Sequence, residues 1–132
     1  MKSIVGNASI LAAGLALGAL AVEGLHAQAK QPVYTIAEIQ IKEGNQDVYA
    51  KEFSPKAKAL LKSIAGSQFV AAGTPMKIEG ELPPSGTRVT IRRYNSIEDA
   101  RAAYSSPEYM EARKIGDKYA TFRVIAIEGV PQ

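Results

Sequence analysis

The residues of this sequence that are best suited to chemistry are arginines, glutamates and tyrosines, and they fall into two groups. In the first group, Glu38, Arg92 and Arg93 lie within segments that alternate like β-strands, and Tyr34 shares the predicted face of Glu38. The planar guanidinium of an arginine suits a carboxylate or an oxyanion. One hypothesis is therefore a pocket where an arginine binds an anionic or enolic compound; the alternative is a structural ion pair.

The second group lies in the segment Ser96–Arg113, which contains Tyr104, Tyr109 and Arg113. A tyrosine beside an arginine can polarise a carbonyl group or hold an aromatic ligand. Tyrosine also commonly buries its ring and leaves its hydroxyl at a rim, so packing between a helix and a sheet explains the same residues. We retain both readings and include these three side chains among the pocket candidates.

Capping residues predict how this second segment folds. Ser96 followed by Asp99 resembles a capping box, in which polar side chains satisfy free N–H groups at a helix start. Ser106 is a second N-cap candidate, and Pro107 would occupy the first helical position, where its missing N–H has no cost. The segment is therefore predicted to form two short helices that meet at the proline.

The remaining patterns predict an α+β domain with the ferredoxin-like order β-α-β-β-α-β. Alternating residues predict strands at Val33–Ile41, Gln68–Ala72, Arg88–Tyr94 and Thr121–Ile127. Helical spacing follows Gly44-Asn45 up to Gly66, and Pro55 must kink or restart that helix. An extra extended arm is expected at Met76–Leu82, before the turn that precedes the third strand.

Strand adjacency in this plan leads to an expectation for Glu38. The first and third strands are neighbours, so Glu38 is expected to pair with Arg92 or Arg93 across the sheet. A buried carboxylate must be paired or protonated, because desolvating a lone charge is very costly. We take a structural ion pair as the default reading and a ligand site as the alternative.

The last strand predicts an assembly. Phe122, Val124 and Ala126 fall on one face, while Ile125 and Ile127 fall on the other, so both faces of the sheet need a cover. The helices of one chain can cover one face only. The second face is expected to pack on the same face of a second copy, which gives a homodimer.

The N-terminal 29 residues have the pattern of a cleaved secretory signal peptide. Lys2 gives a positive start, Ala8–Val22 is uncharged, and Ala27-Gln28-Ala29 fits a small-x-small cleavage motif. Cleavage is predicted after Ala29, or alternatively after Ala27, which leaves a single domain at 30–132. The uncharged run is shorter than the roughly 20 apolar residues of a membrane helix, so no stable membrane insertion is expected after cleavage. We expect a bacterial protein that is exported to the periplasm or secreted.

The composition removes the usual residues of several classes of chemistry. The chain has no cysteine, and its one histidine, His26, lies in the predicted signal peptide. Zinc sites and Cys- or His-based catalysis therefore lose their usual residues, and no metal is expected. Glycine-rich phosphate loops are missing from the sequence, so no cofactor is expected. The net charge of +3 is small and spread out, which does not favour nucleic-acid binding.

Short segments along the whole predicted domain resemble the domain-of-unknown-function family numbered 1330, within the dimeric α/β barrel superfamily. The matching residues are Tyr34–Ile39, Gly66–Gly73, Ile78–Gly80, Arg88-Val89, Tyr104–Tyr109 and Glu128–Val130. The resemblance implies a ferredoxin-like fold and a dimer. Among superfamily relatives, some perform oxygenation, decarboxylation or isomerisation without a metal, and others bind haem. The chain departs from the family at Ala72, where an arginine is common. It also departs at the end of the third strand, which reads Arg92-Arg93-Tyr94 where the family often has a glutamate and an aromatic residue.

Three functions remain open on the sequence. The first is an exported homodimer that binds a small organic ligand, and the second is an envelope interaction protein. The alternative is a cofactor-independent enzyme, similar to an oxygenase, isomerase or decarboxylase, that acts on a small carbonyl or aromatic compound. Without histidine or cysteine, its general base would be a Glu or Tyr with a shifted pKa.

Overall fold

A computed structural model describes residues 31–131, so the predicted signal peptide and its cleavage site lie outside the described residues. Strands and helices follow one another in the order β1 (Val33–Ile41), α1 (Gln46–Glu52), α2 (Ser54–Ala65), β2 (Gln68–Gly73), β3 (Thr87–Tyr94), α3 (Ile97–Ser105), α4 (Pro107–Gly116) and β4 (Ala120–Glu128). Each helical segment of the predicted plan is divided into two helices. The α+β, ferredoxin-like prediction is confirmed.

The four strands form one antiparallel sheet in the order β2-β3-β1-β4. In β1 every second residue from Val33 to Ile41 is buried, and these residues face the helices. Ile36 and Glu38 point to the other side, which none of the helices within residues 31–131 covers. We call this uncovered side the open face.

Aromatic rings fill the space between the helices and the sheet. Phe53 lies edge-on to Phe122 with ring centroids 5.4 Å apart, and Tyr49 contacts both rings. Gly116, in the last turn of α4, allows the close approach, since a Cβ there would lie 3.0 Å from ring atoms of Phe53 and Phe122. A larger residue would have to displace these rings in a densely packed core.

Both predicted helix breaks occur at the prolines. Phe53 separates α1 from α2, and Pro55 lies in the first turn of α2, where its missing N–H leaves no hydrogen bond unmade. Ser96 Oγ accepts a hydrogen bond from Asp99 N at 3.1 Å and caps α3. Ser106 Oγ accepts from Tyr109 N at 3.3 Å and caps α4.

Irregularities of the chain occur at and after β2. The pairing of β2 with β3 shifts between Phe69 and Ala71, so Val70 forms a bulge. The extended arm expected at Met76–Leu82 forms no strand, and none of the four described strands pairs with it. Its Met76 and Ile78 side chains are 87% and 96% exposed. No helix within residues 31–131 is both long enough and apolar enough to cross a membrane.

Replacing Ser106 with alanine should destabilise the fold by about 1 kcal/mol, because the cap of α4 is lost. Ser106 Oγ also donates to Ala103 O at 2.9 Å, so the substitution removes two hydrogen bonds at a buried position. Urea unfolding monitored by circular dichroism measures the change. Ser105→Ala is the matched control, since Ser105 is exposed and bonds only to the backbone of its own helix, and it should change stability by less than about 0.5 kcal/mol. Equal effects of the two substitutions would contradict the capping role.

Candidate functional site

A pocket of about 530 Å³ lies between helices α3 and α4 and the helix side of the sheet. We call it the outer pocket. Tyr104, Tyr109 and Arg113 line it from the helices, and Phe122 and Ala126 line it from β4. The break between α3 and α4 places the two tyrosines here, since each lies next to the point where the helix direction changes.

The tyrosines of the outer pocket form a contact cluster. The rings of Tyr104 and Tyr109 meet edge to face, with centroids 5.2 Å apart and an interplanar angle of 81°. Tyr104 also contacts the ring of Tyr94, and its hydroxyl lies 3.5 Å from Thr35 Oγ1 on β1. This geometry supports the packing reading of the sequence, but it also lines the pocket with hydroxyl groups.

Behind these tyrosines lies a smaller cavity of about 50 Å³, which we call the inner cavity. Tyr104, Tyr109, Phe122 and Val124 line both spaces, so the inner cavity and the outer pocket are adjacent. Arg92 lines the inner cavity from β3. The helix–sheet interface therefore contains two adjacent spaces, one of which is lined by a guanidinium group.

Arg92 is buried although it is charged, with 3% of its surface exposed. Its Nη1 donates to Ser67 Oγ at 3.0 Å, and its Cζ lies 3.9 Å from the centroid of the Phe69 ring. Ser67 Oγ in turn donates to the carbonyl of Leu61 at 2.9 Å. Burial lowers the pKa of Arg92, while the neighbouring tyrosines act in the opposite direction. Arginine remains charged at any ordinary pH even so.

The tyrosine hydroxyls near Arg92 are held in their neutral form. Burial raises the pKa of Tyr94 and of Tyr109, and coulombic interaction with Tyr104 raises both further. The Tyr94 hydroxyl is buried beside Ser67 and Tyr104. However, no group within residues 31–131 lies in hydrogen-bonding geometry with its oxygen. Neutral hydroxyls and a guanidinium are donors, so the site can stabilise negative charge that resides or develops on a ligand oxygen.

Arg113 has contacts of its own at the edge of the outer pocket. Its Cζ lies 3.7 Å from the centroid of the Phe122 ring, and its Nε donates to Asp117 Oδ1 at 3.0 Å. The carboxylate partner and the aromatic contact explain its position without a ligand. Tyr109 responds to it, because Arg113 lowers the pKa of that hydroxyl against the larger effect of burial.

The expected pairing of Glu38 with Arg92 or Arg93 is wrong. Glu38 lies opposite Val89 on β3 and opposite Arg123 on β4, and it accepts two hydrogen bonds of 2.9 Å from Arg123. Arg92 pairs with Thr35 in the ladder, so its side chain lies on the helix side. Arg93 lies on the open face but opposite Tyr34, and its side chain bonds to Asn95.

The structure therefore divides the predicted site residues between the two sides of the sheet. Arg92, Tyr104, Tyr109 and Arg113 lie on the helix side, and Tyr34, Glu38 and Arg93 lie on the open face. Sequence reasoning missed Ser67, Phe69 and Tyr94 as neighbours of Arg92, and it missed Arg123. The alternation of β4, which places Arg123 with Ile125 and Ile127, was the signal that could have identified Arg123 on the open face.

The chain belongs to the family described as Domain of unknown function (DUF1330), whose model matches residues 32–130, and the resemblance seen in the sequence is confirmed. No curated protein sequence matches the chain. Among solved structures, it is similar to the RPA0582 protein of unknown function from Rhodopseudomonas palustris. That likeness has a TM-score of 0.59 and 15% identity over 85% of this chain and 93% of the other.

Two further solved structures share the fold. SnoaB from Streptomyces nogalater, a cofactor-independent oxygenase, has a TM-score of 0.57 and 13% identity over 77% of this chain and 96% of its own. A dimeric protein of unknown function and ferredoxin-like fold from Bacteroides fragilis NCTC 9343 has a TM-score of 0.56. Its identity is 17%, with 74% of this chain and 96% of its own chain covered. At such identities the likeness establishes the fold alone.

The burial of Tyr49, which lines the inner cavity, leads to a prediction of how the stability of the protein changes at alkaline pH. Burial raises the pKa of Tyr49 to about 12, above the value of about 10 in an unfolded chain. The contribution of the neutral Tyr49 hydroxyl to the free energy of unfolding is therefore complete below about pH 10. It is lost as pH rises from about 10 to 12, because this tyrosine ionises first in the unfolded state. Urea unfolding should show that, over this pH range, the free energy of unfolding of Tyr49→Phe falls by on the order of 1–2 kcal/mol less than that of the wild-type protein. Below about pH 9 the two proteins should have the same pH dependence, and identical slopes above pH 10 would contradict the assignment.

Proposed function

We propose that the protein is an exported homodimer whose outer pocket binds a small organic compound with an aromatic or carbonyl group. The observation that supports it is the pair of adjacent spaces at the helix–sheet interface, the outer pocket and the inner cavity, which share the walls formed by Tyr104 and Tyr109. The outer pocket has a mixed lining of apolar side chains, hydroxyls and arginines, and its volume of about 530 Å³ lies in the size range of small-molecule sites.

Benzamide, a neutral aromatic amide, is a suitable first probe of the outer pocket. We expect NMR titration of the mature protein to show saturable binding that shifts the signals of residues around Tyr104 and Tyr109. Ala126→Trp should weaken this binding at least about tenfold, because Ala126 lines the outer pocket and a bulky side chain there occupies the space.

Ala102→Trp is the matched control for this experiment. Ala102 is exposed on α3 and lines none of the spaces described above, so the substitution should leave benzamide binding unchanged. Native mass spectrometry of protein purified from its own host provides an independent readout, namely the mass of a retained compound. Absence of both benzamide binding and a retained compound would contradict the ligand-binding function and favour the envelope interaction protein.

The proposed homodimer would bury the open face of the sheet. This face presents apolar side chains from several strands, and on β4 Ile125 and Ile127 are 46% and 53% exposed in the protomer. A second copy is the economical cover for such a face. The similar Bacteroides fragilis structure is described as dimeric, which supports the proposal. Glu38 and Arg123 would enter this interface as a bidentate pair rather than as isolated charges.

Native mass spectrometry and sedimentation velocity test the dimer. Protein from the exported fraction should form a dimer of protomers that lack the first 29 residues. Ile127→Glu should raise the dimer dissociation constant on the order of 100-fold, because each interface would bury two unpaired carboxylates. Met110→Glu is the control, since Met110 is 56% exposed but lies on α4, away from the open face, and should leave association unchanged. A wild-type protein that is monomeric at micromolar concentration would refute sheet-to-sheet assembly.

A second candidate function is a cofactor-independent enzyme of the oxygenase, isomerase or decarboxylase type. Two observations favour it: the donors around the inner cavity, and the fold shared with SnoaB, which is a cofactor-independent oxygenase. In this reading Arg92 and the neutral tyrosine hydroxyls would stabilise an enolate-like oxygen. The test is to incubate the retained compound in air with less than one equivalent of protein. Complete conversion of the compound would establish catalysis, whereas recovery of the unchanged compound would support binding alone.

A further inference from the structure

We propose that Arg92 makes the inner cavity an oxyanion site, so that the ligand is a planar organic acid whose carboxylate or enolate oxygen contacts this guanidinium. The inference rests on the proposed binding function of the outer pocket and specifies the chemical class of its ligand. It also specifies the orientation of the ligand, with the acidic group toward β3 and the ring toward α3 and α4.

The first argument is the missing counter-charge of Arg92. A buried guanidinium is costly without a negative group beside it, because a neutral hydroxyl and an aromatic ring offset only part of its desolvation. The contacts of Arg92 are a serine hydroxyl and a phenylalanine ring, both neutral. Among residues 31–131 no carboxylate forms an ion pair with it. A bound anion would supply the negative partner that Arg92 lacks among these residues.

The second argument is the charge of the cavity walls. The lining of the inner cavity includes Arg92 and Lys58 and contains no aspartate or glutamate. Lys58 Nζ lies 5.7 Å from the centroid of the Phe69 ring, the same ring that Arg92 contacts. Lys58 is exposed to solvent, so Arg92 is the buried cation of this space. A buried cation with no carboxylate in the walls around it favours a negatively charged occupant.

The third argument is the number of unused donors. A guanidinium has five N–H donors in a planar fork, and Arg92 makes one hydrogen bond to the described part of the chain, from Nη1 to Ser67 Oγ. Because Ser67 gives its own proton to the carbonyl of Leu61, its oxygen is fixed as the acceptor for Arg92. The ring of Phe69 occupies one face of the guanidinium, so the remaining donors are along its edge, where a carboxylate binds. The unpartnered hydroxyl of Tyr94 is a further donor nearby.

The size of the two spaces limits the ligand. The inner cavity of about 50 Å³ exceeds the roughly 30 Å³ that one water occupies in the liquid but is too small for an aromatic ring. The outer pocket of about 530 Å³ has room for a ring, and Tyr104 and Tyr109 border both spaces. A compact acid with its acidic group in the inner cavity and its ring against the tyrosines in the outer pocket fits both dimensions. Inorganic oxyanions share the chemistry of the acidic group, and the experiment must distinguish them.

Benzoate and benzamide are probes of nearly the same shape that differ in charge. We expect calorimetric titration to show that the wild-type protein binds benzoate at least tenfold more tightly than benzamide. Arg92→Gln should weaken benzoate binding at least tenfold and leave benzamide binding within about twofold. Arg93→Gln is the matched control, because it removes the same charge from the next residue of β3 on the opposite side of the sheet, and it should leave both affinities unchanged.

Two further measurements keep the test decisive if Arg92→Gln fails to fold. Arg92→Lys retains the charge but loses the planar fork, so it should weaken benzoate binding while benzamide binding stays the same. In the wild-type protein, the Nε signal of Arg92 in ¹⁵N NMR spectra should shift on addition of benzoate and stay in place on addition of benzamide.

The outcomes separate this inference from the proposed function. Benzamide binding with no preference for benzoate would overturn the oxyanion site and leave the pocket intact. Absence of binding by both probes would overturn the proposed function itself. A third outcome is that inorganic phosphate binds as tightly as benzoate, with binding lost in Arg92→Gln. That result would show that the site takes a free oxyanion, and it would overturn the proposal that the ligand is an organic acid.

Discussion

The alternation of side chains along β1 is the constraint on which the rest of the structure depends. β1 is hydrogen-bonded to β3 on one side and to β4 on the other, so its two-residue period decides what every neighbouring residue faces. Thr35 and Ala37 face the helices, and Ile36 and Glu38 face the open side. A slip of one residue in either ladder would exchange the two environments. The same period separates two adjacent arginines, which explains why one is buried and the other lies on the open face.

The division of the second helical segment gives this sheet its pocket. A continuous helix from 97 to 116 would follow one straight line over the sheet. Instead Ser106 ends one helix and caps the next, and the chain changes direction between the two tyrosines of the outer pocket. The glycine at the end of α4 lets that helix approach the aromatic core closely. Local capping chemistry and one close contact thus determine where the interface is filled and where space is left.

Sequence reasoning succeeded where the determinant is local. Proline positions and serine caps predicted both helix breaks, and alternation predicted all four strands to within a residue or two. It failed where the determinant is the register between strands. The stretch from Arg88 to Tyr94 contains arginines on both parities, so its pattern alone does not say which arginine faces the helices. The inner cavity also could not be predicted, because it depends on how Ser67, Phe69 and Tyr94 converge from distant parts of the chain.

The bulge at Val70 has a consequence for the edges of the sheet. β2 and β4 are the two edge strands, and each presents backbone groups that another strand could pair with. The bulge interrupts the regular spacing of β2, which disfavours addition of a further strand there. β4 is regular over its nine residues, and its side chains include the charges of Arg123 and Glu128. Protection against amyloid-like growth therefore has a different origin at each edge: backbone irregularity at β2, and charged side chains on an otherwise regular strand at β4.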